Sequence, residues 1–402
     1  MSCASNYYPD QLSTHLAVVT ETWPPEINGV AHTISQLVKQ LQARKDYQIT
    51  LIRPRQSQAE TALHTENFQE LLVSGFCLPF YQQVRLGYPH YLGLKRAWKT
   101  TRPDLVQIVT EGPLGYAALK AARSLDIPVI SDFHTHFDQY SHYYRLAKLN
   151  SLAERYLRSL HNQTLLTLVP TQELRRQLTT KGYQRLAVVE RGIDKDLFNP
   201  QRRSHALRTR LGIRPAQLLV TLVSRLAQEK NLDLAFVAFR AIQKQVPDAR
   251  FLVVGDGPDR ARLQALHPDC LFVGMQTQEA LAAHYASGDL FIYSSTSETF
   301  GNVVIEAMAS GLPVVAFDYA AAHQHIRPQE NGCSVALHDS TAFIQTAVKL
   351  ALDPALRQRL GQQAHLSTQN LSWQQVANSL HQTIQTLLQE LKHETASSIE
   401  CA

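Results

Sequence analysis

Glu298 and Glu306 stand on either side of Gly301 in the run SSTSETFGNVVIEAMASGLPVV, residues 294–315. The apolar stretch Leu290–Tyr293 reads as a buried strand that delivers this polar loop, and a helix is predicted from about Asn302. The first turn of a helix has amides without partners, so one that opens after a glycine lets the amides of Gly301, Asn302 and Val303 approach an anion closely. Two carboxylates beside an anion site repel the anion unless they are engaged by hydroxyl groups. A ligand carrying both phosphate and sugar hydroxyls meets both demands. Taken as an isolated pair, the glutamates equally suit a helix cap and a solvated helix residue.

Three further segments carry chemistry. In SRLAQEKNLDLA the strand Leu218–Val223 runs into Arg225 and Lys230 just ahead of a helix expected from about Asn231. Two cations on such a turn neutralise a diphosphate, although exposed loop cations have the same spacing. Near the start, Leu16–Thr20 leads to ETWPPEINGVAH, where Asn28 and Gly29 open a helix; Gly29 allows close backbone contact, and an ordinary helix start also favours this pair. In DFHTHF, residues 132–137, His134 and His136 share one face of a strand, with Asp132 and His142 nearby. That set also fits a metal-dependent hydrolase. Gly255 and Gly257 follow a strand as G-x-G, but the third glycine of a dinucleotide fingerprint is missing.

Taken together these segments resemble the family 4 glycosyltransferases, the large retaining group with the GT-B fold. The run ETFGNVVIEAMASGLPVV carries most of the likeness, which extends from about His15 to about Gln374. The resemblance implies that a hexosyl group moves from a nucleoside-diphosphate sugar with retention at the anomeric carbon. It implies that Gly29, Arg225, Lys230 and the amides of Gly301, Asn302 and Val303 hold the donor diphosphate. Glu298 would hold sugar hydroxyls and His134 would support the sugar near the reacting carbon, making these two the catalytic candidates. Glu306 would accept from the ribose, and Gly255, Gly257, Met275 and Gln276 would line the nucleotide pocket. Family members usually carry two glycines where this chain has Asn28 and Gly29.

No cofactor beyond the donor substrate follows, and no metal, because two cations and the helix amides already offset the diphosphate charge. The stretches YAAAHQHI, residues 319–326, and TEGPLG, residues 110–115, are similar to bacterial GDP-mannose-dependent α-mannosyltransferases. GDP-mannose as donor and a glycolipid or glycan hydroxyl as acceptor are therefore implied. A UDP-sugar-dependent glycolipid synthase of the same fold is the alternative. Rival classes are a sugar-nucleotide epimerase, a phosphorylase, a non-catalytic nucleotide-sugar binder and the metal-dependent hydrolase.

The elements that must position these residues follow from patterning. In 402 residues, 44% apolar and 18% charged, nine short Val-, Ile- and Leu-rich runs alternate with helix-period segments. The runs are continuously apolar, as strands buried on both faces are, so the class is α/β with parallel sheets covered by helices. Polar and basic residues break the rhythm between Arg191 and Pro215. The resulting architecture is two Rossmann-like domains facing across a cleft. Residues 1–195 form an acceptor-binding domain and 196–371 a nucleotide-sugar-binding domain. A helix at 372–392 crosses back onto the first, and a flexible tail follows at 393–402.

Charge and cysteine content exclude other classes. The net charge of +5 suits a phosphorylated ligand or an anionic membrane surface. Without runs of like charge or aromatic–basic alternation, nucleic acid is not a partner. Tyr81 to Arg102 mixes aromatic and basic residues as a helix resting on anionic lipid does, and Tyr140, Tyr143 and Tyr144 are candidates for an acceptor wall. Five scattered cysteines fit a reducing cytosol. The first apolar run is too short for a signal peptide, and no run of 18 apolar residues spans a membrane. The expected location is cytoplasmic, with peripheral contact on the inner face of the membrane.

Overall fold

The computed structural model describes residues 13–78, 81–134 and 147–400. Seven parallel strands form the first sheet, in the order Phe68–Val73, Tyr47–Pro54, Thr14–Val19, Leu105–Ile108, Val129–Asp132, Leu166–Val169 and Leu186–Val188. Alternate residues of a strand point to opposite faces. Leu16 and Val18 accordingly enter one core layer with Ile34 and Leu37, while Ala17 and Val19 enter the other with Leu94 and Ile108. Six parallel strands form the second sheet, in the order Leu271–Gly274, Arg250–Val254, Leu219–Val223, Leu290–Tyr293, Val314–Phe317 and Cys333–Val335.

Each sheet is wound outward in both directions from its first strand. The order reverses between Thr14–Val19 and Leu105–Ile108 in one sheet, and between Leu219–Val223 and Leu290–Tyr293 in the other. Open α/β sheets bind ligands at the carboxyl ends of strands beside such a reversal. The loops that carry Gly29, Arg225, Lys230 and Glu298 leave from these strands.

All nine expected strands are present, with ends within two residues of those read from the sequence. The four additional strands in the sheets, Phe68–Val73, Leu186–Val188, Leu271–Gly274 and Cys333–Val335, are all edge strands, and they are short or only partly buried. A separate antiparallel hairpin pairs Gly75–Leu78 with Tyr81–Gly87. It corrects the reading of Tyr81 to Arg102 as a single helix: only Tyr91–Thr100 is helical.

The chain passes between the sheets twice, and the crossings touch. Ile193 N donates to Leu371 O at 2.6 Å, and a Cβ on Gly192 would lie 2.6 Å from Trp373 N. The second crossing feeds the helix Trp373–Glu400, which lays Trp373, Val376, Leu380 and Ile384 into the core of the first sheet beside the helix Gly29–Gln42. Its backbone runs past Lys392 to Glu400, so residues 393–400 are helical where a flexible tail was expected. No Gly or Pro interrupts that stretch, and extending a formed helix is far easier than starting one.

Candidate active site

The carboxyl ends of the two sheets face a cleft of about 2040 Å³. Every residue expected at the donor site lines it, all of them among the described residues. Gly29 and His134 come from the first sheet's loops. Arg225, Lys230, Gly255, Gly257, Met275, Gln276, Glu298, Gly301, Asn302, Val303 and Glu306 come from the second.

Gly301 caps the helix Asn302–Ala309 at φ 92°, a left-handed conformation that favours glycine, and a Cβ there would sit 3.4 Å from Glu298 Cγ. The amides of this helix therefore face the cleft unshielded. Across the gap, Asn28 caps the helix Gly29–Gln42, its Oδ1 accepting from Val30 N and Ala31 N. A Cβ on Gly29 would lie 3.7 Å from Asn302 Nδ2, so two helix starts from different sheets approach one another.

Glu298 is held in place. Its Oε1 accepts from Lys230 Nζ at 2.6 Å, from Ser295 Oγ at 2.8 Å and from the Tyr293 hydroxyl. Tyr319 OH donates to the Glu298 carbonyl, so the YAAAHQHI stretch braces the loop. Arg225 Nη1 lies 3.4 Å from Glu229 Oε1, four residues along. Glu306 is not a solvated helix residue. Its Oε2 accepts from the buried Tyr285 hydroxyl at 2.8 Å, and burial raises its carboxyl to about 7, with the Tyr285 hydrogen bond opposing.

The two glycines of V-G-D-G-P have a packing role as well as a place in the cleft. A Cβ on Gly255 would stand 1.9 Å from Ser224 O, and one on Gly257 would stand 2.3 Å from Leu226 O. They press the loop after Arg250–Val254 against the segment carrying Arg225. Met275 is exposed to the cleft, and Gln276 Nε2 donates to Val273 O at 2.9 Å.

On the first-sheet side, His134 sits between Arg191 and Asp132. Arg191 Nη2 is 3.2 Å from Nδ1, and Asp132 Oδ2 is 3.7 Å from Nε2. Gln107 Nε2 donates to both Asp132 oxygens. Burial lowers the Arg191 guanidinium to about 10, with the Asp132 charge opposing. Beyond this group lie Glu21 and Glu111, both buried and both lining the cleft. Burial lifts Glu21 to about 7 against its hydrogen bond from Leu114 N, and the Glu111 charge adds to the rise. Burial acts upward on Glu111 too, but the hydrogen bond and charge of His161 hold it below the usual carboxylate range.

Sequence reasoning gave no role to Glu21, Glu111 and Arg191: Glu21 opens ETWPPEINGVAH and Glu111 lies in TEGPLG, but the three are distant in sequence and only the fold brings them together. That reasoning also missed Tyr116 and Tyr156, whose rings lie 6.0 Å apart on the cleft wall. His136, Tyr140, His142, Tyr143 and Tyr144 lie outside the described residues. Among the described residues no group of three or more His, Cys, Asp or Glu side chains is placed to hold a metal ion. No helix among them is long and apolar enough to cross a membrane.

Comparison with known proteins agrees with this geometry. The pattern described as Glycosyltransferase Family 4 matches residues 27–197, and that of Glycosyl transferases group 1 matches residues 217–353. A GDP-mannose-dependent alpha-mannosyltransferase of Mycobacterium tuberculosis is 31% identical over 91% of this chain and 94% of its own. An alpha-monoglucosyldiacylglycerol synthase of Streptococcus pneumoniae is 27% identical over 75% of this chain and 70% of its own. Among solved structures, sucrose-phosphate synthase of Thermosynechococcus elongatus superposes with a TM-score of 0.75, at 18% identity, over 94% of this chain and all of that one. The two facing sheets have the GT-B arrangement, and the chain belongs to glycosyltransferase family 4.

Proposed function

We propose that this glycosyltransferase moves a mannosyl group from GDP-mannose to a hydroxyl of a lipid or glycan acceptor, retaining the anomeric configuration. One observation carries the reading. Two helix starts, two cations and two carboxylates from separate loops converge on one cleft between the sheets. The bond from the anomeric carbon to the diphosphate breaks, and the leaving group takes the electron pair. Arg225, Lys230 and the amides of Gly301, Asn302 and Val303 stabilise the charge that develops there. The acceptor oxygen bonds to the same carbon and gives up its proton to an oxygen of the departing diphosphate. Glu306 holds the ribose, Glu298 the sugar hydroxyls, and His134 the sugar near the reacting carbon.

The preference for GDP-mannose rests on the mannosyltransferase relative, matched over nearly its full length, and on the stretches at 110–115 and 319–326. The alpha-monoglucosyldiacylglycerol synthase relative supports the alternative of a glycolipid synthase, for which a UDP sugar is the donor we weigh, and Tyr116 and Tyr156 give the acceptor side an aromatic wall suited to a lipid-borne hydroxyl. Peripheral contact with anionic membrane belongs to the same reading. The helix Tyr91–Thr100 buries Leu94 and Trp98 and turns Leu92, Arg96 and Lys99 outward. Co-sedimentation with anionic vesicles but not neutral ones is expected, and equal recovery from both would remove this contact.

A thermal-shift panel of GDP, UDP and ADP sugars tests the donor, because a ligand of the native state stabilises it by RT ln(1 + [L]/Kd). GDP-mannose should give the largest shift. A larger shift with a UDP sugar would move the assignment to the second reading, and no shift with any of them would remove the donor site.

A further inference from the structure

We infer that Arg191 is a positioning residue that fixes the tautomer of His134, with its ring proton on Nε2 and its lone pair on Nδ1. The inference rests on the assignment of His134 to the sugar, and goes further by stating which atom acts and what controls it.

The chemistry of arginine decides the tautomer. A guanidinium has only N–H donors and no acceptor. With Arg191 Nη2 at 3.2 Å, His134 Nδ1 must present its lone pair. A neutral imidazole with a free Nδ1 carries its proton on Nε2. That nitrogen is buried and has no hydrogen-bond partner. Asp132 Oδ2, at 3.7 Å, is beyond hydrogen-bond reach and already accepts from Gln107 Nε2. A buried donor without a partner among the described residues is costly, and because His134 lines the cleft, a substrate oxygen that reaches this nitrogen would satisfy it.

The place of Arg191 in the fold keeps it there. It is the last residue before the first crossing between the sheets, where Gly192 packs against the Trp373 backbone and Ile193 N bonds to Leu371 O. Arg191 is buried, 7% exposed as a residue, so it has little freedom to turn away from the ring. Asp132 and Glu111 are the other charged groups that face His134 among the described residues, and neither is within hydrogen-bond distance of Nδ1. Arg191 alone therefore selects the tautomer.

The test is nuclear magnetic resonance of the full chain labelled with ¹⁵N-histidine, with the His134 ring assigned by its loss in His134→Gln. At pH 8 the wild-type ring should show a protonated Nε2 and an unprotonated Nδ1. Arg191→Met should give a mixture of tautomers and a turnover about tenfold lower, the scale of one misdirected hydrogen bond. Arg191→Lys, which still donates, should restore the wild-type ring signature. A wild-type ring protonated on Nδ1, or an unchanged signature in Arg191→Met, would overturn the inference. If Arg191→Met does not fold, the wild-type and Arg191→Lys spectra decide it. Normal turnover in His134→Gln would instead remove His134 from the sugar, whatever tautomer the wild-type spectrum shows.

Discussion

The ammonium of Lys230 and the carboxylate of Glu298 meet at 2.6 Å, so the group assigned to the diphosphate and the group assigned to the sugar are joined before any donor arrives. Lys230 Nζ also donates to Ser297 O, which ties the turn after one central strand to the loop after its neighbour. The proposed phosphate and sugar sites are therefore one electrostatic unit. On that proposal a donor would share Lys230 with Glu298, and Glu298 Oε2 would receive a sugar hydroxyl.

Lys230→Ala should leave the fold intact, because Glu298 keeps its hydrogen bonds from Tyr293 and Ser295. Turnover should fall by about 10²–10³, the usual loss when one stabilising donor is removed from a developing charge. Arg225→Ala, on an exposed turn, should behave alike. Unchanged circular dichroism with turnover near wild type in both variants would end their diphosphate assignment.

Glu298→Gln should affect more than the sugar. Considered as separate residues, the two glutamates divide the ligand cleanly, and a change at Glu298 leaves nucleoside diphosphate affinity untouched. The ion pair alters that expectation. Removing the carboxylate charge frees Lys230 for the phosphate, so free nucleoside diphosphate should bind severalfold more tightly while turnover drops. Calorimetry showing the same affinity in Glu298→Gln and wild type would mean that Lys230 does not reach the phosphate.

The groups on the second sheet were legible because they are local. Arg225 and Lys230, or Glu298 and Glu306, follow a strand within a few residues, so one stretch of sequence shows strand, turn and charge together. On the first sheet Gly29 and His134 were legible in the same way, but Glu21, Glu111, Arg191 and His161 were not: they come from separate segments, and only the winding of the sheet brings them to one place. Tyr285 and Tyr293 read as strand and helix core, and they are core, but their hydroxyls also fix the two glutamates. A buried tyrosine whose hydroxyl needs a partner has no signature in sequence alone.

Activity should persist in excess EDTA. Two cations and the start of the helix at Gly301 line the cleft where the diphosphate is proposed to sit, and the D-x-D run Asp194-Lys195-Asp196 has Asp194 Oδ1 already accepting from Asp196 N and Leu197 N. Loss of turnover in EDTA, restored by zinc or manganese, would favour a metal site built around His134.

Glu21 links stability to pH. Burial raises its folded carboxyl to about 7, above the ordinary value of 4.5, so the native state binds the extra proton between those values. Its contribution to stability is complete below pH 4.5 and is lost as pH rises through 7. Glu21→Gln keeps an oxygen for Leu114 N and carries no charge. The variant should match wild type near pH 5 and exceed it at pH 8, by on the order of 1–3 kcal/mol. Melting temperatures at the two pH values are the measurement, and a constant difference between the proteins would show that Glu21 is ionised throughout.

Glu306 should make nucleotide binding depend on pH in a way a single variant isolates. In the empty cleft burial holds its carboxyl up to about 7, and the Tyr285 hydroxyl offsets only part of that cost. Ribose hydroxyls donate best to the ionised form, so binding pulls the carboxyl down and releases a proton wherever the free protein holds one. Affinity for nucleoside diphosphate should therefore rise from pH 6 to pH 8, by up to about tenfold, since one unit below its pKa only about a tenth of a carboxyl is ionised. The terminal phosphate of the ligand titrates in the same range, and Glu306→Gln separates the two effects: it removes the protein's share and leaves the ligand's. Calorimetry at pH 6 in two buffers of different ionisation enthalpy should show more proton release by wild type than by Glu306→Gln. Equal proton release and equal pH slopes in the two proteins would place the ribose away from Glu306.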